Sequence, residues 1–303
     1  PQRVRWRMVQ TAETFETYRT HLFAIAYRML GSAMDAEDMV QETYLRFQAT
    51  PPETQAGIVS PKAYLTTILT RLCLNQLQSA HHRHEQYVGP WLPEPISTDR
   101  ATDTANSANP EELMELYESL SLAFLTLLEE LPPIERAVFL LRDVFDYEYA
   151  EIAAFLGKSE VACRQAFSRA KKHLADRRPR FSPSPQTQRE MLASFLHAVQ
   201  GGDMDSLMKM LADDVTLWAD GGGKVRGAVT RPIAGREAVA RFSARSLRLL
   251  PEGYTIEIAE VNGQPAIVAR AGGHPVSVVS IEVDGQRIRA VRVVANPEKL
   301  QQV

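Results

Sequence analysis

With 303 residues, 45% of them hydrophobic and 23% charged, the chain is expected to fold into two or three domains with substantial cores. No apolar run approaches the roughly 20 residues of a membrane-spanning helix, and no apolar segment follows the basic start, so neither a membrane span nor a secretory signal is predicted. The net charge is −3, and two cysteines without metal-ligand spacing, Cys73 and Cys163, indicate a reducing compartment such as the cytoplasm, with no metal or cofactor.

Apolar periodicity predicts three helices at the start of the chain, over 14–30, 35–48 and 61–83. The apolar positions of the second helix, Leu45 among them, are expected to pack inward. Its first turns carry four acids and a glutamine: Asp35, Glu37, Asp38, Gln41 and Glu42. Compensation of the helix dipole explains two of the four acids, but it does not explain their extension to Glu42.

The third helix follows a loop over 50–60 and begins at Ser60-Pro61, a capping residue followed by proline at the first helical position. On this helix, Arg71, Asn75 and Gln78 are spaced to share one exposed face. The face is either a binding surface or an ordinary solvated one, and the residues alone favour neither.

A segment over 88–110 is rich in Pro, Ser, Thr, Asn and Asp, which predicts a linker. It contains the motif Trp91-Leu92-Pro93-Glu94-Pro95. A lone tryptophan on a proline-stiffened segment favours docking on a protein surface over exposure to solvent.

A four-helix unit is predicted over 111–178. Helices over 111–131 and 134–145 are separated by two prolines, and a helix over 149–156 ends at Gly157, where a positive φ costs little. Ser159 is a good N-cap for the last helix, over 160–174, and Glu160 suits its positive end. Two helices joined by a short glycine-centred turn are typical of a helix-turn-helix.

The last helix of this unit has two distinct faces. Its packing face is small and apolar: Ala162, Cys163, Ala166, Phe167, Ala170 and Leu174. Its opposite face is basic and rich in hydrogen-bonding groups: Arg164, Gln165, Ser168, Arg169, Lys171 and Lys172. Residues 158–180 carry eight Lys and Arg against two acids, whereas residues 1–157 carry 12 basic and 22 acidic residues. The pattern favours a DNA-recognition helix over a solvated surface helix, and the acidic remainder predicts a second, non-DNA partner unless it serves solubility alone.

After a second proline-rich linker at 179–187, residues 188–303 have the pattern of an α+β domain. Helices are expected over 188–200, 204–211 and 235–249, with a strand over 215–219. Three further strands are expected, joined by the hairpin signals Asn262-Gly263 and Asp284-Gly285. A glycine-rich motif follows the first strand: Asp220, Gly221, Gly222, Gly223 and Lys224.

Acid–base catalysis by this domain would depend on Asp220, His197 and His274. Nothing in the sequence pairs them, since Asp220 beside three glycines is explained by a turn, and a histidine on helix 188–200 is more often structural. We therefore predict that the chain is not an enzyme.

Taken in order, these motifs resemble those of an extracytoplasmic-function (ECF) sigma factor. The stretch from Gly31 to Thr43 is similar to the core-polymerase-binding segment of that family, and Leu131–Val138 followed by Tyr149–Ala153 is similar to its promoter-reading second domain. The last third looks like a cone-shaped, SnoaL-like domain of the NTF2 superfamily. The combination resembles the subgroup whose signature motifs are matched here by Trp91–Pro95, by Asp220–Lys224 and by Asn296-Pro297-Glu298-Lys299-Leu300.

This resemblance implies a fold of two all-α helical domains, the second with the helix-turn-helix, followed by the α+β cone. It implies that Asp35, Glu37, Asp38, Gln41 and Glu42 contact core RNA polymerase. Arg71, Asn75 and Gln78 would face the melted minus-ten side of the promoter, and the helix that starts after Ser159 and Glu160 would read the farther element in the major groove.

The resemblance also implies that the fused domain modulates activity in cis, without a separate anti-sigma factor, through the contacts of its three signature motifs. A small molecule in the cone is left open. The alternatives are a ligand-sensing helix-turn-helix regulator, which leaves helices 35–48 and 61–83 without a role, and a cyclase- or isomerase-like enzyme with a DNA-binding prefix.

Overall fold

A computed structural model describes residues 2–85, 87–98, 119–175, 184–225 and 229–303, and for residues 2–11 and 80–85 it describes the backbone alone. The chain divides into two compact units, one made of residues 1–83 and 127–177 and the other of residues 84–126 and 178–303. The predicted linkers at 88–110 and 179–187 and the predicted helix over 111–131 lie partly outside the described residues.

The first unit is built from helices. In chain order they are α1 (Gln2–Leu30), α2 (Ala33–Ala49), α3 (Pro52–Ala56), α4 (Pro61–Glu85), α5 (Leu122–Leu128, which contains the boundary between the units), α6 (Pro133–Phe139), α7 (Tyr149–Leu156) and α8 (Glu160–Ala175). The three predicted N-terminal helices are confirmed, each with wider bounds. The loop predicted over 50–60 contains the short helix α3, which was not predicted, although the proline at Pro52 fits the first helical position.

Only the first half of the helix predicted over 134–145 is α-helical. After α6 the chain forms a π-helical turn over Leu140–Val144, closed by a hydrogen bond from the Phe145 amide to the Leu140 carbonyl at 3.1 Å. Asp146 follows with a φ of 53°, and the Tyr147 amide donates to the Leu141 carbonyl. This wider turn, a feature that is frequent near functional sites, directs Tyr147 into the unit, where it is buried.

The helix-turn-helix forms as predicted. A capping box between Glu148 and Glu151 starts α7, and Gly157 ends it in the left-handed conformation with a φ of 61°. The Ser159 hydroxyl accepts a hydrogen bond from the Ala162 amide and so caps α8. Four small or apolar residues of α8 are buried against the unit: Cys163, Ala166, Ala170 and Leu174.

The second unit contains an α+β domain. Its elements are α9 (Pro185–Gly201), α10 (Met204–Met210), β1 (Leu211–Asp220), β2 (Ile233–Ala234), α11 (Arg236–Ser246, continued by a 3-10 turn over Leu247–Leu249), β3 (Thr255–Val261), β4 (Gln264–Ala271), β5 (His274–Asp284), β6 (Arg287–Val294) and a 3-10 turn over Pro297–Lys299. The six strands of the described residues form one sheet in the order β2-β1-β6-β5-β4-β3, with β1 parallel to β6 and the other pairs antiparallel.

The prediction of three strands after α11 was wrong, because the structure has four. The region predicted as one strand between the two hairpin signals is divided into β4 and β5 by Gly272 and Gly273, which turn the chain with φ values of 57° and 82°. The hairpin at Asn262-Gly263 is confirmed. The turn predicted at Asp284-Gly285 lies one position later, at Gly285-Gln286.

The sheet has an apolar cluster on each face. On the helix side, side chains of α9 and α11 pack on the strands, for example Leu192, Phe195, Val239 and Ile281. Successive side chains of a strand point to opposite faces of the sheet. Ile267 therefore belongs to the helix-side cluster, and the next residue, Val268, belongs to the cluster on the outer face. Helices and curved sheet together enclose a cavity of about 390 Å³, which confirms the predicted α+β cone.

Candidate functional site

The acidic start of α2 is only partly free to meet a partner. The Gln76 amide donates to Asp35 at 3.2 Å, Arg19 pairs with Glu37 at 2.8 Å, and Arg46 pairs with Glu42 at 2.8 Å. Both arginine pairs are exposed, so each stabilises the unit by no more than about 1 kcal/mol and can be exchanged for other partners.

One stripe of α2 faces solvent. Asp38 and Gln41 are exposed, and the exposed apolar side chains of Met34 and Leu45 lie at helical spacing on the same side. The prediction that Leu45 packs inward was therefore wrong, since 49% of it is exposed. Met34 and Leu45 were not predicted as surface residues, although the spacings of 4, 3 and 4 residues from Met34 through Asp38 and Gln41 to Leu45 place all four on one helix face.

Arg71, Asn75 and Gln78 share an exposed face of α4, as their spacing predicts. Arg71 is nevertheless engaged within the unit, because its guanidinium donates to the Phe155 carbonyl at 3.1 Å and to the Ala154 carbonyl at 3.4 Å. These carbonyls belong to the last turn of α7, where the helix dipole attracts a cation. In this arrangement Arg71 holds two parts of the helical unit together, whereas Asn75 and Gln78 face solvent.

The basic, hydrogen-bonding face of α8 is exposed along its length: Arg164, Gln165, Ser168, Arg169, Lys171 and Lys172. Two of its arginines are positioned by neighbours, since Arg169 pairs with Glu135 at 2.6 Å and Arg164 lies 4.3 Å from the Tyr149 ring centroid. Val161 at the start of the helix is also exposed, which was not predicted.

Tyr147 connects the N-terminal helices to the helix-turn-helix within the first unit. Its hydroxyl lies 2.8 Å from His21 Nε2 and 3.2 Å from Thr66 Oγ1. Burial, together with the charges of Lys62 and Arg28, lowers the pKa of His21 from 6.5 to about 4, which keeps the ring neutral. Sequence reasoning missed this contact because nothing local links residues 126 positions apart.

In the second unit, the structure brings the motif Trp91–Pro95 against Asp220. Asp220 is fully buried at the end of β1, and its two carboxylate oxygens accept four hydrogen bonds. The donors are the Tyr87 hydroxyl at 2.5 Å, the Gly222 amide at 3.1 Å, the Leu92 amide at 2.8 Å and the Lys299 ammonium at 2.8 Å. A carboxylate with all four acceptor positions used is a structural anchor rather than a general base.

Lys299 completes this contact from the opposite side. It is buried, donates to the Leu92 carbonyl at 2.5 Å as well as to Asp220, and lies 4.0 Å from the Trp91 ring centroid. Asn296 donates from its amide nitrogen to the Tyr87 hydroxyl at 2.9 Å, and the exposed Lys224 pairs with Glu298. Burial is the largest cause that raises the pKa of the Tyr87 phenol, and the hydrogen bond to Asp220 is the second. Tyr87 therefore donates as a neutral group.

The linker segment 87–98 continues along the domain. Leu92 is buried in the apolar cluster on the outer face of the sheet, together with Leu300, and Pro93, Glu94 and Pro95 are buried as well. Farther on, Ser97 forms a bridge with Val261 at the end of the edge strand β3. We call the linker segment 87–98 together with Asp220–Lys224 and Asn296–Leu300 the clasp.

The glycines of the motif after β1 are explained by this contact. At Gly222 an added Cβ would lie 2.4 Å from the Asn296 side-chain nitrogen, and at Gly223 it would lie 3.1 Å from the Val88 side chain. Both residues also have φ values in the left-handed region, 58° and 71°. Only glycine meets both requirements at Gly222 without displacing Asn296.

Residues 119 and 120 also belong to the second unit, although the sequence analysis placed 111–178 in one helical unit. The side-chain amide of Asn262 donates to the Leu120 carbonyl at 2.9 Å. Its side-chain oxygen accepts a hydrogen bond from the Ile96 backbone amide, and its own backbone amide donates to the Ile96 carbonyl. Tyr87, Leu120 and Asn262 were missed as contact residues, since only the docking of Trp91–Pro95 was signalled.

The other candidate acid–base groups do not join Asp220. His197 and His274 are both exposed, and neither lines the cavity of the cone. Among the residues that the structure describes, no group of His, Cys, Asp and Glu is placed to hold a metal ion, and no helix is long and apolar enough to cross a membrane.

Known proteins resemble this chain in both sequence and fold. The family model for Sigma-70 region 2 matches residues 14–83, and that for Sigma-70, region 4 matches residues 121–174. The chain is 37% identical over 284 residues to the ECF RNA polymerase sigma factor SigJ of Mycobacterium tuberculosis, covering 93% of this chain and 85% of SigJ. It is 29% identical over 288 residues to the probable ECF RNA polymerase sigma factor SigI of the same species, covering 94% and 93%.

The crystal structure of M. tuberculosis SigJ matches with a TM-score of 0.72 at 31% identity, over 96% of this chain and 98% of that one. The match therefore includes the helical segments and the C-terminal α+β domain together. With this identity and coverage, the chain belongs to the extracytoplasmic-function sigma factors of RNA polymerase.

Proposed function

We propose that this sigma factor contacts core RNA polymerase through the exposed stripe of α2, which consists of Met34, Asp38, Gln41 and Leu45. The stripe combines two exposed apolar side chains with polar neighbours, as protein interfaces combine an apolar core with a polar rim. Glu37 and Glu42 join the contact by exchanging their exposed arginine pairs for basic groups of the polymerase, and Asp35 supports the helix from its first turn.

Promoter reading is divided between α8 and α4. Arg164 and Gln165 face solvent near the start of α8, where a recognition helix meets base edges, and a bidentate pair with guanine or adenine gives about 1–3 kcal/mol of discrimination. Lys171 and Lys172 contact phosphates, which position the helix without specifying sequence. Asn75 and Gln78 on α4 face the melted strand, where a flipped base can be held.

The fused domain acts on transcription through the clasp. The linker segment 87–98 follows α4 in the chain and precedes the helix-turn-helix, so holding or releasing it changes the length of free chain between the two DNA-reading segments. The single observation that carries this proposal is the fully buried Asp220, which binds Tyr87, Leu92 and Lys299 at once. The domain thereby does the work of a separate anti-sigma factor, without catalysis and in the cytoplasm, where the polymerase is.

The test is transcription by purified core RNA polymerase with the full chain added. We expect initiation at a specific promoter that core polymerase alone does not use. The competing regulator hypothesis predicts specific binding to duplex DNA by the free chain and no initiation. Turnover of a small molecule that is lost in an Asp220→Ala variant would instead favour the enzyme hypothesis.

A further inference from the structure

The cavity of the cone has the size and lining of a small-molecule site. Its volume of about 390 Å³ falls within the range of roughly 300–1,000 Å³ that is typical of ligand pockets. The lining side chains from α9, α11 and the helix side of the sheet are almost all aliphatic or aromatic, for example Phe195, Phe242, Ile267 and Val291. The polar exceptions are Asp220, Lys224 and three serines.

One of these serines has an unused hydroxyl. Ser243 on α11 is only 3% exposed, lines the cavity, and its Oγ has no hydrogen-bond partner among the residues that the structure describes. Its neighbour Ser246 is different, because that hydroxyl donates to the Ser243 carbonyl at 2.8 Å. An unpaired buried hydroxyl costs about 1–3 kcal/mol, a cost that a bound polar group would remove.

The charges at the cavity wall are already neutralised. Asp220 accepts four hydrogen bonds, one of them from Lys299, and Lys224 pairs with Glu298. A charged ligand would therefore lose its hydration and would gain an ionic partner among the lining residues only by displacing one of these existing partners, which disfavours ions. The lining selects a neutral molecule.

We infer that this cavity binds a neutral, largely apolar small molecule that carries one hydroxyl or carbonyl group, hydrogen-bonded to Ser243 Oγ. Asp220, Lys224, Pro297 and Leu300 line the cavity and belong to the clasp, so an occupied cavity changes how firmly the linker segment 87–98 is held. This second part rests on the proposed function of the clasp. It makes the cone a ligand-responsive regulator of the linker.

The binding test uses two matched probes and the full chain without polymerase, so its failure leaves the transcription proposal intact. The probes are 1-naphthol, which has one hydroxyl, and 1-methylnaphthalene, which replaces that hydroxyl with a methyl group. Calorimetric titration should show both binding to the wild-type chain, with 1-naphthol about 5- to 10-fold tighter because of one additional hydrogen bond. Binding of neither probe, or equal affinities, would overturn the assignment of Ser243.

The variant Ser243→Ala separates a ligand role from a structural one. It removes no hydrogen bond from the free chain, so the midpoint of thermal unfolding should stay the same or rise. Affinity for 1-naphthol should fall about 5- to 10-fold to match that for 1-methylnaphthalene, whose affinity should not change. A variant that binds 1-naphthol as tightly as the wild type would contradict the inference.

The link to the clasp is measured on the same complexes. Saturating 1-naphthol should change the hydrogen-exchange rate of the linker segment 87–98 in the wild-type chain and leave the interior of α8 unchanged. An unchanged rate in the linker with the probe bound would overturn the transmission from the cavity to the clasp.

Discussion

Replacing Asp220 by asparagine should release the linker segment 87–98 from the C-terminal domain. The substitution keeps the size of the side chain and removes its charge. Lys299, buried to 93% at its side chain, then loses its carboxylate partner at 2.8 Å, while its contacts with the Leu92 carbonyl and with the faces of Tyr87 and Trp91 stay. The new side-chain amide nitrogen is a hydrogen-bond donor, and it would face one of the groups that now donate a hydrogen bond to Asp220.

The magnitude follows from the burial of the pair. Removing one partner of a buried ion pair typically costs 3–5 kcal/mol, and the remaining polar contacts of Lys299 reduce this to about 3 kcal/mol for opening of the clasp. Since 1.4 kcal/mol corresponds to a factor of ten, the Leu92 amide, which donates to Asp220, should exchange its hydrogen roughly 100-fold faster.

The assay is hydrogen exchange followed by mass spectrometry on peptides that cover 87–98, with a peptide from the centre of β5 as the internal reference. The matched control is Glu298→Gln, which breaks the exposed pair with Lys224 and should change exchange less than about 5-fold. If the linker in Asp220→Asn exchanged within about threefold of the wild-type rate, or if the control had the same effect, the buried carboxylate would not be what holds the clasp.

Four further substitutions test other parts of the structure. Leu92→Ala removes a fully buried side chain from the outer apolar cluster and should lower the free energy of unfolding by about 2–4 kcal/mol in urea titration; a loss below 1 kcal/mol would mean that the linker is not part of that core. His21→Gln should reduce the pH dependence of stability. Because the pKa of His21 is lowered in the folded chain, its contribution to the free energy of unfolding is complete above pH 6.5 and is lost as the pH falls toward about 4. The loss is about 1–2 kcal/mol after allowing for solvent screening. Equal pH dependence of wild type and variant would contradict this. Arg164→Ala should relax discrimination at one base pair by about 1–3 kcal/mol, whereas Lys172→Ala should weaken binding to every sequence and lower the salt slope by about 1. Anisotropy titrations of the polymerase complex with matched and mismatched promoters separate the two, and a uniform loss with Arg164→Ala would exclude base reading by that arginine.

Local patterns predicted the elements that local chemistry determines. The helix-turn-helix around Gly157 formed within a residue or two of its predicted bounds, because capping, a left-handed glycine and two clear helix faces all act within a few positions. The hairpin at Asn262-Gly263 formed for the same reason. The turn at Gly272-Gly273 was missed although its two adjacent glycines are an equally local signal.

Contacts between distant residues were predicted only where a motif marked both sides. Trp91–Pro95 was expected to dock on a protein surface, the resemblance marked Asp220–Lys224 as a second signature motif, and the structure brings the two together. Tyr87 and Tyr147 carried no such signal, since a tyrosine on a helical or linker segment has many possible neighbours. The pairing of Arg71 with the end of α7 was also hidden, because exposure on a helix face does not reveal which surface lies opposite.

The most direct test of the account is run-off transcription by purified core RNA polymerase with the wild-type chain and with Asp220→Asn in parallel. We expect a specific transcript that requires the chain, and a yield that differs about fivefold or more between the two proteins, as a coupling of at least 1 kcal/mol between clasp and polymerase function implies. The absence of a chain-dependent transcript would contradict the assignment of surfaces in the helical unit. Equal yields from both proteins, with the linker released in the variant, would contradict control by the clasp.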